Sequence, residues 1–263
     1  MQRLGAALFF MTLSATGTAW AADDKQPAPA GAFQGAPPEY TRFSTAELTR
    51  GFMALAFGSD LRLGARPRGI RRFVRPIHAV VLSGGSVDRS AAMQRIVEEY
   101  ARKLPSLQLT AGGNPAAADI VIRLIDEKNF EAALEEAFGR ATARAFVAKT
   151  DPQCMTSVKS RASGEIVRAI SFVIVDKGND VFLDCAYHEL LHAFGLSNHD
   201  QRNTWTTLNQ KRMVGYLTVY DHALLRLLYE PRLRPGMTPG EIRALLPGLI
   251  ESLNLAAPNR RGR

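Results

Sequence analysis

Residues 184–200 read DCAYHELLHAFGLSNHD, and the spacing of the histidines in this stretch decides how the rest of the chain is read. His188, Glu189, Leu190, Leu191 and His192 form an HExxH motif. Positions four apart share a helix face, so His188 and His192 can turn their ring nitrogens toward one ion. Glu189 is rotated by about 100° from His188, where a carboxylate can hold an attacking water without being a ligand itself. Leu190, Leu191 and Phe194 give the helix an apolar packing face, and Gly195 offers the positive φ that ends it. The chain holds only 5 histidines among 263 residues, and three of them are His188, His192 and His199.

Outward from this helix, the pattern is one of mixed strands and helices. Glu165 to Asp176 (EIVRAISFVIVD) reads as a long strand leading into a helix that begins near Asp180 or Asp184. Two more strand candidates lie upstream, Ile77 to Leu82 and Asp119 to Ile125. Between them Met93, Ile96, Val97, Tyr100 and Leu104 recur at helical spacing, and Phe130 to Phe138 also looks helical. Ser44 and Glu47 make a capping box for a helix that should end at Gly58, with Leu48, Phe52, Leu55 and Ala56 as its apolar stripe. Thr218 with Asp221, and Thr238 with Glu241, repeat the device for two helices near the C-terminus, the first stopped by Pro231. No strict strand–helix alternation appears. The expectation is one α+β domain with a mixed sheet over residues 41–256.

The segment HELLHAFG, His188 to Gly195, resembles the metzincins and related short zincins, whose pattern is HExxHxxGxx followed by His or Asp. That resemblance implies a zincin-like fold and a bound Zn2+ held by three protein ligands with one position open. It implies peptide-bond hydrolysis of a peptide or protein substrate, with Glu189 as general base. The chain departs from the pattern at the third ligand, where Asn198 stands. His199 follows at once and is the favoured ligand, ahead of Asp200 and Asn198. A zincin arrangement that draws its third ligand from a later helix would use Asp221 or Glu230. Met213 could form the methionine turn of such enzymes, although a lone Met is more often core packing. Tyr216 and Tyr220 could stabilise an oxyanion, with plain core or surface roles the commoner reading. The chain also resembles an uncharacterised family of secreted bacterial domains with a zincin-like core. CAYHELLHAFGLSNHD, TTLN at Thr206 to Asn209, LLRLLYEPRLRPGMTPGE at Leu224 to Glu241 and GFMALAFGSDLR at Gly51 to Arg62 carry that likeness.

The N-terminus reads as a signal peptide over residues 1–21, with Arg3, an apolar run from Leu4 to Leu13, and Ala19-Trp20-Ala21 for cleavage. That run is too short to span a bilayer, so no transmembrane segment is expected after cleavage. The expected address is the bacterial periplasm or exterior. Export makes a disulfide between Cys154 and Cys185 the favoured reading over a thiolate metal ligand. Residues 22–40, rich in Pro, Ala and Gly, read as a flexible leader, and residues 257–263 as a basic tail.

Lys and Arg outnumber Asp and Glu by 33 to 25, for a formal charge of +8. An exported chain rarely meets genomic DNA, so the surplus excludes nucleic acid in favour of an anionic envelope surface. Arg62, Arg66, Arg68, Arg71, Arg72 and Arg75 cluster, but a solvated basic loop explains them more simply. Ser83-Gly84-Gly85-Ser86 lacks phosphate-loop spacing and reads as a turn. Two functions compete at this point: an exported zinc metallopeptidase, and a zincin-fold envelope protein that binds or braces without turnover.

Overall fold

A computed structural model of the chain describes residues 25–57, 68–148 and 153–257. The expected signal peptide, Arg62, Arg66, and all but residue 257 of the basic tail lie outside them. Within the described residues the fold is α+β, with seven α-helices and a five-stranded mixed sheet.

The sheet is built from β3 (Ile77–Ser83), β4 (Leu109–Ala111), β5 (Ile120–Ile125), β6 (Cys154–Ser160) and β7 (Ile166–Ile174), in the order β4-β3-β5-β7-β6. The first four positions of that order pair in parallel, and β6 runs antiparallel on the outer edge. Side chains alternate across it. Ile77, Ala79, Ile120, Ile122, Leu124, Ala169 and Val173 face the main core. Five helices pack into that core: α1 (Thr45–Phe57), α2 (Ser90–Lys103), α5 (Asn179–Ala193), α6 (Val219–Leu228) and α7 (Pro239–Ser252). On the opposite face Ile125, Phe172 and Ile174 meet α3 (Phe130–Phe138) and α4 (Arg140–Val147) in a smaller core.

The predicted stripe of α1 is buried at Leu48, Phe52, Leu55 and Ala56, and its capping box forms between Ser44 and Glu47. The helix runs to Phe57, and Gly58 lies outside the described residues. The 238–241 capping box also forms. Strand β7 hands the chain to α5 through Gly178, whose φ of 110° no ordinary side chain favours.

Two expectations need correction. The leader is not free over its described part: β1 (Lys25–Gln26) pairs with β2 (Glu39–Tyr40), and Phe33 sits against Gly215. The Tyr216 hydroxyl donates to the Pro37 carbonyl at 2.9 Å, and the Val219 N–H donates to Glu39 at 2.7 Å. Ala28, Ala32, Phe33, Ala36 and Tyr40 all pack against the main core. The arginine-rich segment is solvated only in part where it is described: Arg68 and Arg75 are exposed, whereas Arg72 is partly buried. Arg72 donates to the carbonyls of Leu228, Glu230 and Leu233 at 2.8–2.9 Å, satisfying the end of α6. Arg75 pairs with the buried Asp119.

Cys154 and Cys185 are bonded, tying the edge strand β6 to α5 one turn before His188. Closing a loop of 31 residues should stabilise the fold by about 3–4 kcal/mol. A Cys154→Ser, Cys185→Ser double variant is therefore expected to lose that much in urea unfolding. An unchanged free energy would mean that the crosslink restricts the unfolded chain far less than its length implies.

Candidate metal centre

Helix α5 presents His188 and His192 one turn apart, each ring fixed by a carbonyl. His188 Nδ1 lies 3.0 Å from the Thr207 carbonyl, and His192 Nδ1 lies 2.6 Å from the Leu196 carbonyl. The second contact exists because the chain reverses at Gly195, where φ is 115°. A Cβ there would stand 2.1 Å from the Arg71 carbonyl, so glycine is required for both conformation and space.

Beyond that turn the loop is stapled on both sides of His199. The Asn198 N–H donates to the Leu55 carbonyl at 3.1 Å, and its side-chain amide donates to Ala54 at 2.9 Å. The Asp200 N–H donates to Leu208 at 3.1 Å. Between these anchors His199 points inward. Its Nε2 lies 2.9 Å from that of His188 and 3.1 Å from that of His192, and the helical pair are 3.0 Å apart.

Carbonyl acceptors at Nδ1 commit the hydrogens of His188 and His192 to that side, so their Nε2 atoms carry lone pairs. Lone pairs that converge at such distances repel unless a cation lies among them. Tetrahedral ligation at imidazole distances spaces donor nitrogens by roughly 3.3 Å, and these three sit within a few tenths of an ångström of that. The trio therefore has the donor set and spacing to hold a metal ion. Burial depresses His188 to about 3 and His192 to about 4, so both rings stay neutral, as ligands must. Burial likewise holds His199 far below the usual imidazole range.

Glu189, the residue after His188 on α5, is 3% exposed, and its Oε2 is buried with no hydrogen-bond partner. Burial pushes its carboxyl up to about 8, and the nearby Asp184 carboxylate adds to the effect. Beneath it, the Thr156 hydroxyl of β6 contacts Ser171 of β7 at 2.7 Å and donates to the Glu189 carbonyl at 3.1 Å. The edge strand is thus fixed directly under the HExxH helix.

Of the sequence-predicted ligands, His188, His192 and His199 come together, and the alternatives do not. Asn198 gives its backbone N–H and its side-chain Nδ2 to α1, while its Oδ1 is buried without a partner. The Asp200 carboxylate faces its own loop, accepting the Arg202 N–H at 3.2 Å. Glu230 pairs with Arg232 at 2.6 Å. Asp221 accepts from Thr206 and Thr207. Met213 is 39% exposed, so it neither floors the site nor packs in the core. The Tyr216 and Tyr220 hydroxyls donate to the Pro37 and Glu47 carbonyls, which makes them struts rather than oxyanion donors.

Some contributors escaped the sequence. Thr207 and Leu196 act through backbone carbonyls, which leave no side-chain signature. Asp184, on the same face of α5 as the histidines, holds the Val214 and Gly215 N–H groups at 2.6 and 3.2 Å. Its i−4 spacing from His188 was the available signal.

Fold and site together define a mixed α+β domain with three converging imidazoles on and beside its central helix. The chain belongs to the family described as protein of unknown function (DUF2927), which it matches over residues 45–248. No curated protein and no solved structure matches it.

Proposed function

We propose that the chain is an exported, zinc-dependent peptidase with a zincin-like centre. One observation carries this reading: three imidazole Nε2 atoms converge within 2.9–3.1 Å, and the residue that follows His188 on the helix is a buried Glu189 whose Oε2 has no partner. His188, His192 and His199 would hold the ion. Bound there, zinc would supply Lewis acidity to a scissile carbonyl and to water. Glu189 Oε2 would take a proton from the attacking water and pass it to the leaving amine.

The substrate class follows from the sheet. Strand β6 is antiparallel and outermost, and its Thr156 touches the backbone of Glu189. An extended peptide could add to the edge of β6, which is unpaired among the described residues, and pass alongside the HExxH helix. The Cys154–Cys185 bond suits an oxidising compartment, in keeping with an exported protein. No helix among the described residues is long and apolar enough to cross a membrane.

One observation favours a second reading. Glu189 is 3% exposed and His188 9%, a degree of closure that also fits a metal held for bracing, in an envelope protein without turnover. Metal analysis of the purified protein, followed by cleavage of a mixed peptide library, separates the two. The peptidase reading expects about one zinc per chain, with cleavage lost on chelation and restored by zinc. Full zinc occupancy with no cleavage would select the bracing role, and a metal-free protein that resists zinc loading would remove both.

A further inference from the structure

We infer that Asp221 is a positioning residue for the metal centre, acting on His188 through a chain of hydrogen bonds across the Thr206–Asn209 turn. The inference rests on reading His188, His192 and His199 as metal ligands.

Asp221 is wholly buried on α6 and makes no ion pair among the described residues. Burying a carboxylate without a counter-charge is costly, and packing alone would be met by an apolar side chain. Its partners explain why a carboxylate stands there. Oδ1 accepts the Thr206 hydroxyl at 2.5 Å. The same hydroxyl oxygen accepts the Leu208 N–H at 3.1 Å. That N–H belongs to the peptide unit whose carbonyl is Thr207 O, and Thr207 O accepts His188 Nδ1 at 3.0 Å. The links run without a break from Asp221 to the imidazole. Oδ2 braces the same turn through the Thr207 N–H at 2.9 Å and the Thr207 hydroxyl at 3.2 Å.

Hydrogen bonds in series polarise one another. A carboxylate at one end makes the Thr206 oxygen a better acceptor, draws on the Leu208 N–H, and sharpens the Thr207 carbonyl. A stronger acceptor at Nδ1 makes Nε2 a more basic ligand and fixes its tautomer. The turn also bears on His199, since the Leu208 carbonyl holds the Asp200 N–H at 3.1 Å. Asn209 Nδ2 donates to the Asp200 carbonyl at 3.3 Å. One buried acid thus steadies two of the three imidazoles while touching none of them.

The test measures zinc affinity of the full-length mature protein by competition with a chromophoric chelator, and the visible spectrum of its Co2+ form. Asp221→Asn is expected to weaken zinc binding by about 10- to 100-fold, as for other groups that orient a ligand, and to shift the Co2+ bands. Thr206→Val interrupts the chain midway and should cost roughly 10-fold. Thr207→Val removes only the hydroxyl contact outside the chain and should stay within about 3-fold. Lower thermal stability with unchanged zinc affinity and Co2+ bands would overturn the inference, leaving Asp221 a structural residue only. Should Asp221→Asn fail to fold, Thr206→Val decides on the same readings. A wild-type protein that binds neither ion would instead overturn the metal reading itself, and this inference with it.

Discussion

Glu189→Gln is expected to lower peptide cleavage by about 10²- to 10⁴-fold, the contribution typical of a positioned general base. Zinc content should not change. The substitution keeps the shape of the side chain, and its Oε2 has no hydrogen-bond partner to lose. What disappears is the ability to accept a proton. Stability provides a second reading of the same variant. A carboxyl that is 3% exposed and makes no ion pair among the described residues is a cost to the fold, so its amide should unfold no more easily than the wild type. Loss of cleavage with zinc and stability retained is therefore the pattern specific to a catalytic base. Collapse of all three together would mark Glu189 as structural. Cleavage at the wild-type rate would place the base elsewhere and remove the mechanism proposed here.

The sequence made the HExxH helix legible because its signals are local. The i,i+4 histidines, the apolar Leu190 and Leu191, and the terminal Gly195 all lie within one short segment. The buried strands β3, β5 and β7 were equally plain, since β-branched runs such as AVVL and IVIRLI leave little alternative. Edge strand β6 escaped, because CMTSVKS carries few large apolar groups and is only half covered. Helix α4 escaped too: RATARAFV is short, and only Ala143 and Phe146 are buried.

The site beyond the three histidines was hidden for a different reason. Its supports are carbonyls contributed by distant segments, and backbone groups carry no residue code. Asp221 illustrates how a correct signal can be half right. The Thr218 hydroxyl does accept the Asp221 N–H, as a capping box requires, but the Asp221 carboxylate also accepts from Thr206 and Thr207, outside the cap. Arg72 shows the converse. Six arginines within residues 62–75 look like a solvated surface, yet one of them closes the end of α6 with three hydrogen bonds. Composition describes an average environment, and a tertiary contact overrides it one residue at a time.

His199→Ala is expected to weaken zinc binding by roughly 10³-fold, beyond the 10- to 100-fold usual for changes outside the ligand set. Asp200→Ala should remain within about 3-fold, because its carboxylate is turned to Arg202 rather than to the imidazoles. The size of the first effect follows from coordination. Three protein donors and one open position define a catalytic zinc site, and two imidazoles on one helix cannot complete it. His199 is offset by one residue from the spacing seen in metzincin-like motifs, and the structure gives a physical reason for the shift. Asn198 fills the usual position, but its backbone and side chain both reach back to α1, at Leu55 and Ala54. That double anchor carries the chain one residue further before it can turn inward, and the Asp200 N–H to Leu208 bond then fixes the far side. His199 is held between two staples, so little ordering entropy remains to be lost when an ion binds. Chelator competition on the two alanine variants, with circular dichroism to confirm that both fold, is the measurement. Equal affinities for His199→Ala and wild type would move the third ligand elsewhere and take away the convergence on which the peptidase proposal stands.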